Sequence, residues 1–103
     1  MQKLELNGKV AVVYSPGFGA GWSTWNDSHR EELCMDAEIA AAILEGDNEE
    51  AVKIAKRKYP DIYDGGSETL TIEWVDVGEA FEITEYDGSE SVVIVSKQDY
   101  MIA

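Results

Sequence analysis

The clearest element in the chain is a β-hairpin, written in residues 81–94 as Phe81-Glu-Ile-Thr-Glu-Tyr-Asp-Gly-Ser-Glu-Ser-Val-Val-Ile94. Apolar and polar side chains alternate on both sides of Asp87-Gly88, a dipeptide that favours a two-residue turn between antiparallel strands. The apolar side chains therefore share one face of the hairpin. Counting outward from the turn pairs Tyr86 with Ser89, Glu85 with Glu90, Ile83 with Val92 and Phe81 with Ile94.

A strand that precedes the hairpin has the same alternating period. Leu70, Ile72 and Trp74 are separated by polar side chains, which is typical of a strand covered on one face only. Gly78 marks the turn between this strand and the hairpin. These strands predict an acidic antiparallel sheet whose inner face consists of Leu70, Ile72, Trp74, Phe81, Ile83, Val92 and Ile94.

The first half of the chain supplies another strand and two longer helices. The β-branched run Lys9-Val-Ala-Val-Val-Tyr14 has no polar alternation, so we expect a central strand buried on both faces. Apolar residues at helical spacing predict one helix over residues 36–45 and a second over residues 47–59. A capping box of Asp47 and Glu50 opens the second helix.

The order of these elements predicts an α+β fold. A further capping box, Ser28 with Glu31, indicates a short helical turn that reaches Leu33. Residues 1–103 are expected to form a single α+β domain of order β-α-α-β-β-β. We expect a mainly antiparallel sheet of about four strands, with the helical hairpin packed on one face.

The net charge restricts the class of partner. Eight Lys and Arg face 21 Asp and Glu, which gives a formal charge of -13. Phosphate binding depends on cationic side chains, so we expect no direct binding to nucleic acid or to an anionic membrane. The N-terminal residues lack the apolar run of a signal peptide, and no window approaches the ~18 apolar residues of a membrane span. A cytoplasmic location is therefore expected.

The acidic residues are concentrated in residues 59–96, which contain no Lys or Arg. One interpretation is solubility. Another is that the carboxylates imitate the phosphates of a nucleic acid and occupy a basic groove on another protein. The second hypothesis assigns partner binding to Glu73, Asp76, Glu79, Glu82, Glu85, Asp87 and Glu90.

Glu85 and Glu90 form an unusual pair in the predicted register. Like charges directly across a strand pair are destabilising, and two such carboxylates can share a proton or bind a divalent cation. Both residues lie near the hairpin tip, where water screens the repulsion. Solvated side chains at the tip are the favoured interpretation, and no metal site is predicted.

Residues 15–26 form a loop rich in glycine and tryptophan, Ser15-Pro-Gly-Phe-Gly-Ala-Gly-Trp-Ser-Thr-Trp-Asn26. Trp22 stands where a dinucleotide fingerprint needs its third glycine, and no Gly-Lys-Ser/Thr follows for a P-loop. The aromatic and polar groups can instead line a pocket for a planar ligand, or the aromatic rings plug one end of the core. The ligand hypothesis assigns binding to Tyr14, Gly17, Phe18, Gly19, Gly21, Trp22, Ser23, Thr24, Trp25 and Asn26.

A catalytic pair is the least favoured interpretation. His29 and Cys34 can in principle act as base and nucleophile, with Asp27 or Asp36 as the orienting group. A lone Cys and a lone His without a supporting motif are more often structural or surface residues. We therefore expect Cys34 to be a small buried hydrophobe and His29 to lie at the surface.

The loop residues 14–26, together with Ile72-Glu-Trp-Val75 and Glu85-Tyr-Asp-Gly-Ser-Glu-Ser91, resemble a family of small uncharacterised proteins encoded by bacteriophages and prophages. The resemblance spans most of the chain. It implies a phage accessory role, commonly interference with host machinery or host defence, and it carries no activity or site assignment.

Two functional hypotheses follow. The first is a non-enzymatic protein without a cofactor, which binds and inhibits a host protein that has a basic surface. The second is a small-ligand binder that sequesters a nucleotide-like signal in the glycine- and tryptophan-rich loop. An enzyme that uses carboxylates with a metal, or His29, ranks third.

Overall fold

The structure is a computed structural model that describes residues 1–95 and 101–103. It confirms the α+β class. Short 3-10 turns at Ser23–Trp25, Asp27–His29 and Ser67–Thr69 accompany the regular elements. In chain order the regular elements are β1 (Glu5–Leu6), β2 (Lys9–Tyr14), α1 (Arg30–Met35), α2 (Ala37–Leu44), α3 (Asn48–Lys58), β3 (Thr71–Asp76), β4 (Ala80–Tyr86), β5 (Ser89–Ile94) and β6 (Met101–Ile102).

In residues 1–95 and 101–103 the strands form two antiparallel three-stranded sheets, rather than the one sheet of about four strands that we expected. The first has the order β1-β2-β3 and the second the order β5-β4-β6. After β3 the chain leaves the first sheet, and β6 pairs with β4. The N–H of Gly78 donates to Ala103 O at 2.7 Å, and this hydrogen bond connects the segment between β3 and β4 to Ala103.

β2 is the central strand of the first sheet and separates two apolar cores. Ala11 and Val13 pack with residues of α2 and α3, whereas Val10 and Val12 pack with residues of α1, β4 and β6. All four side chains are buried. The prediction of a central strand covered on both faces is therefore confirmed.

The predicted hairpin register is confirmed residue by residue from Phe81–Ile94 to Tyr86–Ser89. The predicted single inner face is wrong, because its residues belong to different sheets. Leu70, Ile72 and Trp74 pack against the helices. Phe81, Ile83 and Val92 pack on the opposite side of β2. Ile94 is exposed.

Among the described residues, α2 and α3 each begin at an Asp whose side chain caps the helix, whereas α1 does not. The Asp36 carboxylate accepts from the N–H of Glu38 at 2.9 Å, and the Asp47 carboxylate accepts from that of Glu50 at 3.0 Å. The predicted box of Ser28 and Glu31 does not form, because residues 27–29 make a 3-10 turn and His29 occupies the cap position of α1 without a side-chain hydrogen bond. In the part of the chain that the structure describes, no helix has the length and apolar character needed to cross a bilayer.

Candidate functional site

Glu90 is the buried anchor of the glycine- and tryptophan-rich loop. Its side chain is on β5, its residue exposure is 1%, and its carboxylate accepts hydrogen bonds from three backbone N–H groups. The donors are Ser15 at 2.9 Å, Trp22 at 2.7 Å and Thr24 at 3.0 Å, and the Thr24 hydroxyl donates as well. The interpretation of Glu90 as a solvated tip residue is therefore wrong, and its carboxylate is not available to a partner.

Glu85 faces Glu90 across the hairpin, as the register predicts. The two carboxylates are satisfied by different groups, since Glu85 accepts from the Gly88 N–H of its own turn at 2.7 Å. Glu85 is exposed, so only Glu90 is withdrawn from water. Within residues 1–95 and 101–103, no three acidic, Cys or His side chains are grouped so that they could hold a metal ion.

The loop and the hairpin turn are joined in what we call the loop–hairpin junction, formed by residues 15–20 and 87–90. Gly19 N–H donates to Asp87 O at 2.8 Å, and Ser89 Oγ donates to Pro16 O at 2.7 Å. Gly88 has a φ of 86°, and a side chain there would overlap the backbone of Ala20. The glycine- and tryptophan-rich loop and the tip of the acidic hairpin, which the sequence suggested as alternative sites, are therefore in contact.

The aromatic residues of the loop do not line one pocket. Trp22 is fully buried in the core beside α1, where its indole N–H donates to Leu33 O at 2.9 Å. Phe18, by contrast, is 74% exposed at the loop–hairpin junction, and Trp25 is 43% exposed. The sequence predicted that these rings either line a pocket or plug one end of the core, and among Phe18, Trp22 and Trp25 only Trp22 plugs the core.

The other predicted ligand residues support the loop from within. Ser23 is buried, and Tyr14 is half-buried at the end of β2. The space that a side chain at Gly17 or Gly21 would need is taken by Thr69 and by Thr24 with Trp25, respectively. The hollow beside the loop, lined in part by Ser15, Gly17, Phe18 and Thr69, measures about 60 Å³.

The predicted partner-binding residues, apart from Glu90, lie at or near the surface. Glu73, Asp76, Glu79, Glu85 and Asp87 are exposed and Glu82 is half-buried. Asp76 is paired with Lys9 at 2.7 Å, a counter-charge from the first half of the chain. In the described part of the chain, no Lys or Arg pairs with the other five.

A second group of polar and aromatic residues was not predicted. His29 Nε2 lies 2.9 Å from Asp61 Oδ1, and its ring packs on Tyr59 with centroids 4.9 Å apart. Trp25 stacks on Tyr63 with centroids 5.7 Å apart and an interplanar angle of 22°. No local sequence pattern predicts this group, because Asn26 and Tyr63 are joined by hydrogen bonds that span 37 positions of the chain.

Cys34 and His29 do not form a catalytic pair. Cys34 is fully buried, and its thiol lies 3.4 Å from the sulfur of Met101. Burial raises the pKa of this thiol, so the thiolate that nucleophilic chemistry requires is disfavoured. Of the suggested orienting groups, Asp36 is engaged by Lys58 and Tyr59. The prediction that Cys34 is a small buried hydrophobe is confirmed.

Known proteins assign no role to these surfaces. No family model, no curated protein and no solved structure matches the chain. The resemblance to small phage-encoded proteins is carried by motif residues alone and stays a prediction.

Proposed function

We propose that this chain is a protein-binding module and that a basic surface of its partner protein packs against the loop–hairpin junction and the adjoining acidic strands. Its resemblance to small phage-encoded proteins makes a host protein the expected partner, and occupation of that protein's basic groove is the expected means of inhibition. The residues we assign to this surface are Phe18, Glu79, Glu82, Glu85, Tyr86 and Asp87.

The observation that carries the proposal is the pairing of exposed rings with carboxylates at one junction. Phe18 and Tyr86 are 74% and 79% exposed. Each directly precedes a partner of the Gly19–Asp87 hydrogen bond, so that bond brings both rings to the same junction. Exposed aromatic rings are frequent anchors at protein interfaces, where they contribute large contact area with little loss of side-chain freedom.

The carboxylates at the hairpin tip and along β4 define the charge of the partner. In the residues that the structure describes, Glu79, Glu82 and Asp87 have no Lys or Arg within ion-pair distance. A net charge of -13 further attracts a basic partner from a distance. Complementary charge of this kind accelerates encounter and sets orientation, while the rings supply the apolar contact.

The small-ligand hypothesis has less support from the geometry. A nucleotide would need a stacking ring and a site within the roughly 300–1,000 Å³ typical of ligand pockets. The Trp22 ring is fully buried, and the hollow beside the loop is about 60 Å³. We therefore assign the loop to protein recognition.

The test compares capture of partners from a bacterial lysate by three forms of the tagged protein. One is the native chain, and the second carries Glu79→Gln, Glu82→Gln and Asp87→Asn at the proposed surface. The control carries Glu5→Gln, Glu45→Gln and Glu49→Gln, three exposed positions elsewhere with the same change in net charge. We expect the second form to lose affinity for the captured protein by about tenfold or more, with little change in the control.

Salt dependence with the purified partner completes the test. Binding should weaken as salt rises, because charge pairs across an exposed interface are screened. Equal affinity of all three forms, or an affinity that high salt leaves unchanged, contradicts the proposal.

A further inference from the structure

An open cleft lies apart from the loop–hairpin junction, between the 3-10 turn Asp27–His29 and the segment 61–63. Its volume is about 270 Å³, below the roughly 300–1,000 Å³ of sites for drug-sized ligands. The size suits a single side chain of another protein better than a free nucleotide. Its lining includes Trp25, Asp27, His29, Asp61 and Tyr63.

One wall of the cleft is a fixed aromatic platform. Trp25 and Tyr63 are stacked on each other, yet they remain 43% and 51% exposed. Asn26 locks them in place: its Nδ2 donates to Tyr63 O and to Trp22 O, each at 2.8 Å, and its Oδ1 accepts from Tyr63 N–H at 2.7 Å. The rings are therefore preorganised, so a ligand that stacks on them pays little ordering entropy.

The lining also contains two carboxylates, those of Asp27 and Asp61. Asp27 is exposed, and Asp61 has a side chain 68% accessible to water although it hydrogen-bonds His29. Among the described residues, none that lines the cleft is Lys or Arg. The face of an aromatic ring carries partial negative charge, and carboxylates beside it add full negative charge. This combination favours a cation and disfavours an anion.

We propose that the cleft between Trp25, Asp27, Asp61 and Tyr63 receives one arginine side chain of the partner protein. This inference rests on the proposed function, since it names a side chain of the basic partner. Arginine fits better than lysine because its planar guanidinium stacks on an aromatic ring and donates paired hydrogen bonds to a carboxylate. Lysine presents a compact, strongly hydrated charge that does neither as well.

The test uses a defined probe, arginine blocked at both ends as its N-acetyl amide, titrated into ¹⁵N-labelled full-length protein at low salt and mildly alkaline pH. Saturable shifts are expected at the Trp25 indole N–H and at the Tyr63 and His29 amides, and none at the buried Trp22 indole. The blocked citrulline analogue, which has the same planar shape without the charge, should produce no saturable shift.

Several outcomes overturn the inference. Equal responses to arginine and citrulline would show that charge plays no part, and equal affinities for blocked arginine and blocked lysine would remove the case for a guanidinium. Shifts confined to residues 79–87, or no saturable shift, would mean that the cleft is not the site. Asp27→Asn offers a mild variant of an exposed side chain, and it should weaken arginine binding about fivefold while the Trp22 indole signal stays in place.

Failure of this inference can be told apart from failure of the proposed function. If the partner protein depends on Glu79, Glu82 and Asp87 but blocked arginine ignores the cleft, only the arginine assignment is lost. If blocked arginine occupies the cleft while neutralising those three residues leaves partner affinity unchanged, the assignment of the acidic surface is lost instead.

Discussion

Glu90 Oε2 accepts a hydrogen bond of 2.7 Å from the backbone N–H of Trp22, so a carboxylate of the C-terminal hairpin fixes the loop that delivers the largest buried side chain to the core. The same carboxylate holds the N–H groups of Ser15 and Thr24. Together with the Thr24 hydroxyl, four donors converge on one carboxylate, which is the arrangement that makes a buried charge tolerable. The Glu90 side chain therefore connects the loop–hairpin junction to the core.

Replacing Glu90 tests this dependence. Glu90→Gln turns an amide donor toward backbone donors, and we expect it to lower the free energy of unfolding by about 2–3 kcal/mol. Urea denaturation measures the loss. The control is Glu73→Gln on β3, an exposed position where a change within about 0.5 kcal/mol is expected. Equal effects at the two positions would mean that Glu90 is not the anchor.

Substitutions at two glycines distinguish the effect of the close contact at the loop–hairpin junction from the effect of backbone strain. Gly88 and Gly78 have φ values of 86° and 89°, so Ala at either position costs about 1–2 kcal/mol for the left-handed backbone alone. A side chain at Gly78 meets open space, whereas one at Gly88 overlaps the backbone of Ala20. Gly88→Ala should therefore destabilise the protein by about 2 kcal/mol more than Gly78→Ala in the same urea assay. Equal losses would show that the two segments are not in close contact in solution.

The local elements could be predicted because each depends on neighbouring residues. The Asp87-Gly88 turn and strict alternation fix the hairpin register, and Asp47 with Glu50 starts α3. The division into two sheets could not be predicted in the same way, because β1 and β6 have two residues each and show no period. Their pairing depends on contacts distant in sequence.

The burial of Glu90 was predictable in principle. In a strand, residues two apart share a face, so Glu90 shares a face with the half-buried Val92. Its charge alone, by contrast, predicts a place among the surface acids. Asp61 and Tyr63 left no such signal, because Asn26 brings their segment to Trp25 through hydrogen bonds that span 37 residues of sequence.

Alkaline pH should weaken the contact between α2 and the end of α3. The Tyr59 hydroxyl donates to the buried Asp36 carboxylate at 2.9 Å, and burial together with this hydrogen bond raises the pKa of Tyr59 to about 12. The folded-state pKa exceeds the usual value of 10.0, so this contribution to stability is present below about pH 10 and is lost as the pH rises toward 12. Tyr59→Phe should lower the free energy of unfolding by about 1 kcal/mol at neutral pH and flatten its decline in that window.

Urea unfolding at a series of pH values checks this expectation. Lys58, which also contacts Asp36, titrates in both proteins, so the difference between the two profiles isolates Tyr59. Tyr86→Phe, which removes the hydroxyl of a 79% exposed ring, is the control and should follow the native profile. Parallel curves for the native and Tyr59→Phe proteins would contradict the role of the hydroxyl.

The cleft should bind arginine less well as His29 becomes protonated. The hydrogen bond to Asp61 raises the pKa of His29 above 6.5, aided by Glu32 on α1 and opposed by burial, with the Tyr59 ring packed on its face. Because the folded-state pKa is raised, the His29–Asp61 pair adds stability below the unfolded pKa and loses it as pH rises through the folded value. Asp61→Asn should lower the pKa of His29, which is the only histidine and gives an unambiguous NMR titration. Asp27→Asn removes a carboxylate that makes no hydrogen bond to the ring, so it should lower the pKa of His29 less.

In the native protein, the affinity for blocked arginine should rise as the pH rises through the pKa of His29, because Asp61 is then freed from the imidazolium. An affinity independent of pH would show that arginine does not use Asp61.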